Sequence, residues 1–481
     1  MVFSRPVSGL VCCFLVLISV YATAAPTAYL PIGVDPRLER QVDKMFALTT
    51  SAPLTKPYRI TQIATSLERI RTSHPLLYRA IRDGVAPYRS KGQLVSAGVR
   101  LAIDGDTPST LPNQRGLSSS EWAEVIVGGV WRSGEKLLAQ VGMSYRAESG
   151  TLVNYNTFAS AGFGRLQLDV GYKERWWSPF DHSAMLISSH ARPSPSVGLS
   201  FSEPLARYWN ADFEVFYSRL DEVEKGIRWQ GSYHDGKPNL VGTHFSIKPF
   251  QGLQLGFNRI LQLGGGPRDL SVGDFLKAFV DPVSADNLAA PDREAGDQLA
   301  SITGQLDLFL RGKPVEFYFE HAGEDTVNNS NYKFGNQANS VGFFVPELIK
   351  NVSLRYEGNK WKTLWYLNGT YKYGNTNHGN VFGHFGGDQR VFGEGVPSQV
   401  HTLSLGYFGS RNDFWQLKLG MIDNDSNIDG RPKAFAYETG YSVELFNARN
   451  WRNYRLETQF TLGRSVFDQS YQHLSVSLFW R

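Results

Sequence analysis

The 481-residue chain has only two cysteines, Cys12 and Cys13, both within its first 25 residues. The remainder carries no thiol, which excludes a disulfide framework and a cysteine metal site there. Beyond the N-terminus there is no run of about 18 apolar residues, so helical membrane spans are excluded. Charge of one sign is also lacking. Lys and Arg number 49 against 45 Asp and Glu, and the formal net charge of +4 gives no argument for nucleic acid. The chain has neither a G-x-S-x-G elbow nor an H-E-x-x-H pair. Gly264-Gly-Gly-Pro-Arg268 lacks the Lys-Ser/Thr ending of a phosphate loop and reads as a tight turn. No cofactor is expected and no enzymatic activity; whether an ion binds is left open.

What is present falls into three parts. Arg5, the apolar run Leu10 to Val20 and the small residues Ala22-Thr-Ala24 read as a secretory signal peptide over 1–25. In residues 26–92 the apolar spacing is helical. Leu38, Val42, Met45 and Phe46 share a face, with Asp35 placed to cap and Pro36 at the first helical position. The stretches Thr61 to Arg71 and Pro75 to Val85 repeat the pattern. Short one-faced helices do not stand alone in water. They are expected to form a periplasmic unit docked on the end of a larger body.

That body spans 93–481, where the period changes to two. The chain ends His473-Leu-Ser-Val-Ser-Leu-Phe-Trp-Arg481, with Leu474, Val476, Leu478 and Trp480 on one face. About 18 such strands can be marked, among them Ala161–Tyr172, His182–His190 and Trp361–Thr370. The mean hydropathy of −0.29 is that of a soluble protein. It suits a barrel, since only one face of each strand meets lipid. Aromatics make up 13% and glycines number 47, as girdles and tight turns require. The fold class is therefore all-β, a transmembrane antiparallel β-barrel. Glu316, Tyr318 and Glu320 share one strand face, and Arg355, Glu357, Arg455, Glu457 and Gln459 repeat it. Acids of this kind cannot face lipid cheaply. A lumen lined by both signs predicts a charge network crossing the interior rather than an open channel.

Long polar connections, 192–210, 267–293, 321–339 and 375–397, are predicted to fold inward or over the mouth. The piece Val272 to Val280 looks helical. Glu320-His-Ala-Gly-Glu-Asp325 does not match a calcium loop and reads as solvated. Gly171-Tyr-Lys-Glu-Arg-Trp-Trp-Ser-Pro-Phe-Asp181 is the densest unusual segment. Its structural reading is a girdle with a salt network. Its functional reading is a sugar contact, because aromatic faces and cations suit sugar rings and uronates.

Arg175-Trp-Trp-Ser-Pro179, Arg259-Ile-Leu-Gln-Leu-Gly-Gly-Gly-Pro267, Gly296-Asp-Gln-Leu-Ala300 and Gly383-His-Phe-Gly-Gly-Asp388 together resemble the Wzi family of outer-membrane capsule assembly proteins. The resemblance implies a monomeric, plugged, 18-stranded barrel that is non-enzymatic and lectin-like. Its partners would be capsular polysaccharide, or another exopolysaccharide, and the lipid and lipopolysaccharide of the outer membrane. Arg175, Trp176, Trp177, Arg268 and Asp388 are the expected polysaccharide contacts. The alternative is a porin selective for sugars or acidic solutes.

Overall fold

A computed structural model describes residues 25–480 except 106, 269–295, 325, 328–329, 410–412, 426, 429–430, 433–434 and 452. Residues 1–24 of the expected signal peptide and the Val272 to Val280 piece lie outside the described residues.

Three helices come first: α1 (Pro36–Thr49), α2 (Ile60–Leu67) and α3 (Pro75–Val85). Asp35 Oδ1 accepts the Leu38 N–H at 3.0 Å, the expected cap. The apolar faces meet one another through Leu38, Val42, Met45, Phe46, Ile63 and Ile81, and they reach Val130 and Leu138 of the barrel wall.

The barrel follows. Its first strands are β1 (Gly92–Asp104), β2 (Ala123–Ser133), β3 (Leu137–Arg146), β4 (Thr151–Asn154 continued by Asn156–Phe163), β5 (Leu166–Lys173) and β6 (Ser196–Phe201). Next come β7 (Asp212–Arg219), β8 (Asn239–Phe250), β9 (Leu253–Leu263), β10 (Gly296–Leu310), β11 (Lys313–Glu324) and β12 (Ala338–Ile349). The last are β13 (Val352–Trp361), β14 (Ser398–Phe408), β15 (Asp413–Asn424), β16 (Gly440–Trp451), β17 (Tyr454–Arg464) and β18 (Ser470–Trp480). Each strand pairs antiparallel with the next, and β18 closes on β1 with Trp480 opposite Ala97. Closure removes every edge, as a lipid environment demands.

The alternation is as the sequence predicts. On β18, His473, Ser475, Ser477 and Phe479 are buried inward, while Leu474, Val476 and Trp480 are exposed outward. Trp131, Phe163, Trp415, Trp451 and Trp480 ring the outer surface at one end. That end has the short turns, as at 164–165 and 251–252; the other has the long connections 105–122, 174–195, 220–238 and 362–397.

Three strand assignments are corrected. His182–His190 and residues 362–370 are not strands but lie in connections, while Trp361 ends β13. Their apolar residues, such as Met185, Leu186, Trp365 and Tyr366, are buried among loop and wall side chains. Ala161–Tyr172 spans a turn, with Gly164 at φ 59°, so it is parts of β4 and β5. Strand β6 lies within the proline-rich connection. Two strands too many and two too few left the number at 18.

Candidate functional site

The connection 174–195 turns into the barrel instead of lying over it. Trp176 exchanges two backbone hydrogen bonds with Lys56, at 2.8 and 2.9 Å. This ties the connection to the segment between α1 and α2. Trp176 is 1% and Trp177 0% exposed. The Trp176 indole N–H donates to the Phe180 carbonyl, and Trp177 packs edge-on to Phe216 at 5.4 Å. Arg175 lies over the Phe216 ring at 3.9 Å and donates to Glu214 at 2.9 Å.

At the next level down, Asp181 receives Arg40 and Lys56, each at 2.6 Å, with Arg355 at 3.9 Å. Burial pushes its carboxyl up, but the three cations outweigh burial and hold it well below the usual carboxylate range. Asp43 of α1 meets both Arg40 and Arg355. The Asp181 and His182 amides donate to Glu357. Helix, loop and wall are thus joined by one network, the interior crossing that the strand faces predict. The N-terminal strap joins it from below. Tyr29 exchanges hydrogen bonds with Gln140, and Arg455 pairs with Asp35 at 2.6 Å.

The connection 362–397 adds a second layer. The Tyr366 hydroxyl donates to the Met185 carbonyl at 2.5 Å, and Ser188 N–H donates to Phe382. Asp388 accepts from His190 at 2.8 Å, Asn380 at 3.0 Å and the Val381 amide at 3.1 Å. It latches the two connections together. Arg268 is buried over Trp229 at 5.4 Å and donates to Thr370 at 3.3 Å, joining the outer ribbon Val223–Trp229 and Ser232–Gly236 to the same layer.

Of the expected contacts, Arg175, Trp176, Trp177 and Arg268 are therefore interior, not rim, residues. Protein groups cover all four side chains, although Arg175 Nη2 and the Trp177 indole N–H have no hydrogen-bond partner. Asp388 borders a cavity at the long-connection end, and Trp176 and Arg175 each border a smaller one. Glu320 of the presumed solvated loop is also inward; it accepts from Ser178. No cluster able to hold a metal occurs among the described residues.

The plug does not fill the barrel evenly. Inward residues of the wall from β9 to β13, such as Asn258, Ser301 and Glu357, are fully buried. Across the lumen, Lys418 of β15 keeps 27% exposure. A cavity of about 360 Å³ remains there at the long-connection end. Segments 107–113 and 385–389 bound it, along with β14 to β18. Phe385, Phe467 and Tyr471 offer ring faces; Asp388, Gln389 and Arg464 offer polar groups. Arg464 and Gln469 form an exposed rim. Sequence reading missed this vestibule, because its residues come from five strands and four connections. The alternation on β18 did set His473 apart from the outward face.

A closed 18-stranded barrel with an apolar outer band and a plugged lumen is an outer-membrane protein. The comparisons carry this further. The family described as capsule assembly protein Wzi matches residues 119–413, and the chain belongs to that family. The outer-membrane protein Wzi of Escherichia coli, described as a carbohydrate-binding β-barrel involved in group 1 capsule assembly, superposes with a TM-score of 0.71. The alignment covers 95% of this chain and 99% of that one at 16% identity, a likeness of fold. An uncharacterized 55.8 kDa protein in the cps region of Klebsiella pneumoniae is 27% identical over 227 residues. That match spans 44% of this chain and 40% of the relative.

Proposed function

We propose that this protein binds surface polysaccharide, capsular or of another kind, without acting on it, and so helps hold the polymer at the cell. The observation that carries this is the vestibule, a polar and aromatic hollow at the long-connection end of a plugged barrel. Ring faces stack on sugars and charged groups make strong hydrogen bonds to hydroxyls and carboxylates. The description of the Escherichia coli protein supports the same reading. Short turns mark the periplasmic end of such barrels, so residues 26–92 face the periplasm and the vestibule faces outward. The protein acts as a monomer embedded among outer-membrane lipid and lipopolysaccharide.

The test is polymer retention at the cell surface. Phe385→Ala combined with Phe467→Ala, in a barrel that keeps its heat-modifiable mobility, should reduce retention severalfold. Wild-type retention by that variant would remove the vestibule from the site.

A further inference from the structure

A second cavity, of about 240 Å³, lies deeper in the lumen beside the plug. It shares a collar of Asn113, His182, Lys418, Glu444 and Gln459 with the vestibule. Lys418 and Glu444 pair across that collar at 2.8 Å.

One row of the chamber wall is unbalanced. Register places Ser477 opposite Arg100, Arg100 opposite Glu124, and Glu124 opposite Arg146. All four side chains are buried on the inner face. Two guanidiniums therefore share one carboxylate. Neither reaches it well: Arg100 Nη1 and Arg146 Nε stand 3.9 and 3.8 Å from Glu124. These separations are too long for hydrogen bonds. Arg100 donates from Nη2 to His473, and Arg146 donates from both Nη atoms to the carbonyls of residues 114–116. Arg100 Nη1, Arg146 Nε and the Tyr155 hydroxyl have no hydrogen-bond partner. All three residues are more than nine-tenths buried, and all three line the chamber.

The neighbouring acids are engaged elsewhere. Glu174 holds Arg115 at 2.5 Å and Asn156 at 2.8 Å. Glu121 accepts from the amides of Glu148 and Ser149. Asp104 accepts from Ser119. A surplus positive charge and three unmatched donors thus surround a space that communicates with the vestibule. Buried donors without acceptors are costly, and an anionic acceptor would satisfy them together.

We infer that the chamber is an inner subsite for the carboxylate of one acidic sugar unit arriving from the vestibule. Arg100 and Arg146 bind the carboxylate, and the Tyr155 hydroxyl donates to it. Ser144, Ser475, Gln416 and Gln459 on the remaining wall suit sugar hydroxyls. The volume lies just below the about 300 Å³ at which ligand pockets begin, so it takes a single unit and not a chain. The inference rests on the vestibule reading and adds a charge requirement to it.

The test is calorimetric titration of the full chain in detergent with glucuronate, glucose and acetate. Glucuronate should bind about tenfold or more tighter than either, since it alone offers both carboxylate and hydroxyls. Tyr155→Phe keeps the ring under Arg115 and should weaken glucuronate about tenfold. Arg100→Gln should weaken it further, with barrel folding checked by gel mobility. Absent glucuronate binding, equal affinity for acetate, or wild-type affinity in both variants overturns the inference. Phe467→Ala separates the two claims. If it loses polymer retention while the wild type binds no glucuronate, the vestibule reading stands and the inner subsite falls. If it retains polymer normally while Tyr155→Phe weakens glucuronate, the reverse holds.

Discussion

At the scale of single residues, the interior is held by side chains whose polar groups have nowhere else to turn. Trp177 is enclosed by Phe216, His244 and the wall strands. Trp177→Ala should lower stability by about 3–5 kcal/mol, as large aromatic truncations in cores do. A lower temperature for the gel-mobility transition would register it. His384 gives a pH prediction. It is fully buried, its Nδ1 accepts the Gly386 amide, and burial, followed by neighbouring His190, lowers its imidazole to about 3. In the unfolded chain that imidazole titrates near about 6.5. Between those values the unfolded state binds the extra proton, so this contribution falls as pH drops from about 6.5 toward 3. Acidification should loosen connection 362–397, seen as a change in tryptophan fluorescence near Trp361 and Trp365. His384→Gln should flatten that pH dependence; an unchanged slope would assign it elsewhere.

At the scale of elements, each strand has two solvents. Val476 of β18 faces lipid while Ser475 and Ser477 face the lumen. Val476→Lys should cost about 2–4 kcal/mol if it lies near the bilayer midplane, measured by reversible refolding into lipid. The same elements show how far the sequence was legible. Helix α1 was readable because a cap, a first-turn proline and a 3.6 period agreed, and α3, which has no side-chain cap, from its 3.6 period alone. Strands with one lipid face were readable because their periodicity is local. His182–His190 was not, since a segment buried on all sides needs no alternation and imitates a strand by chance. Arg100, Glu124 and Arg146 went unremarked because each is one charge in its own strand. Only register makes them a row.

At the scale of the whole molecule, the plug decides between a binding protein and a pore. Gly383 sits where an added Cβ would collide with the Met185 carbonyl and the Tyr366 hydroxyl, the contact that joins the two plug connections. In planar bilayers the wild type should be silent, and Gly383→Ala should show openings. Steady conductance by the wild type would favour the porin reading instead.

The sequence by itself determined the class of the molecule: a barrel of about 18 strands, a one-faced helical unit, a lumen lined by both charges. These follow from periods of 2 and 3.6 and from residue type, which are properties of neighbouring positions. Only the tertiary structure decided that the Arg175-Trp176-Trp177 run turns inward while a hollow remains beside Lys418. That choice depends on which distant side chains satisfy one another. Hydrogen bonding and close packing in a closed barrel act between residues more than a hundred positions apart, and no local pattern records them.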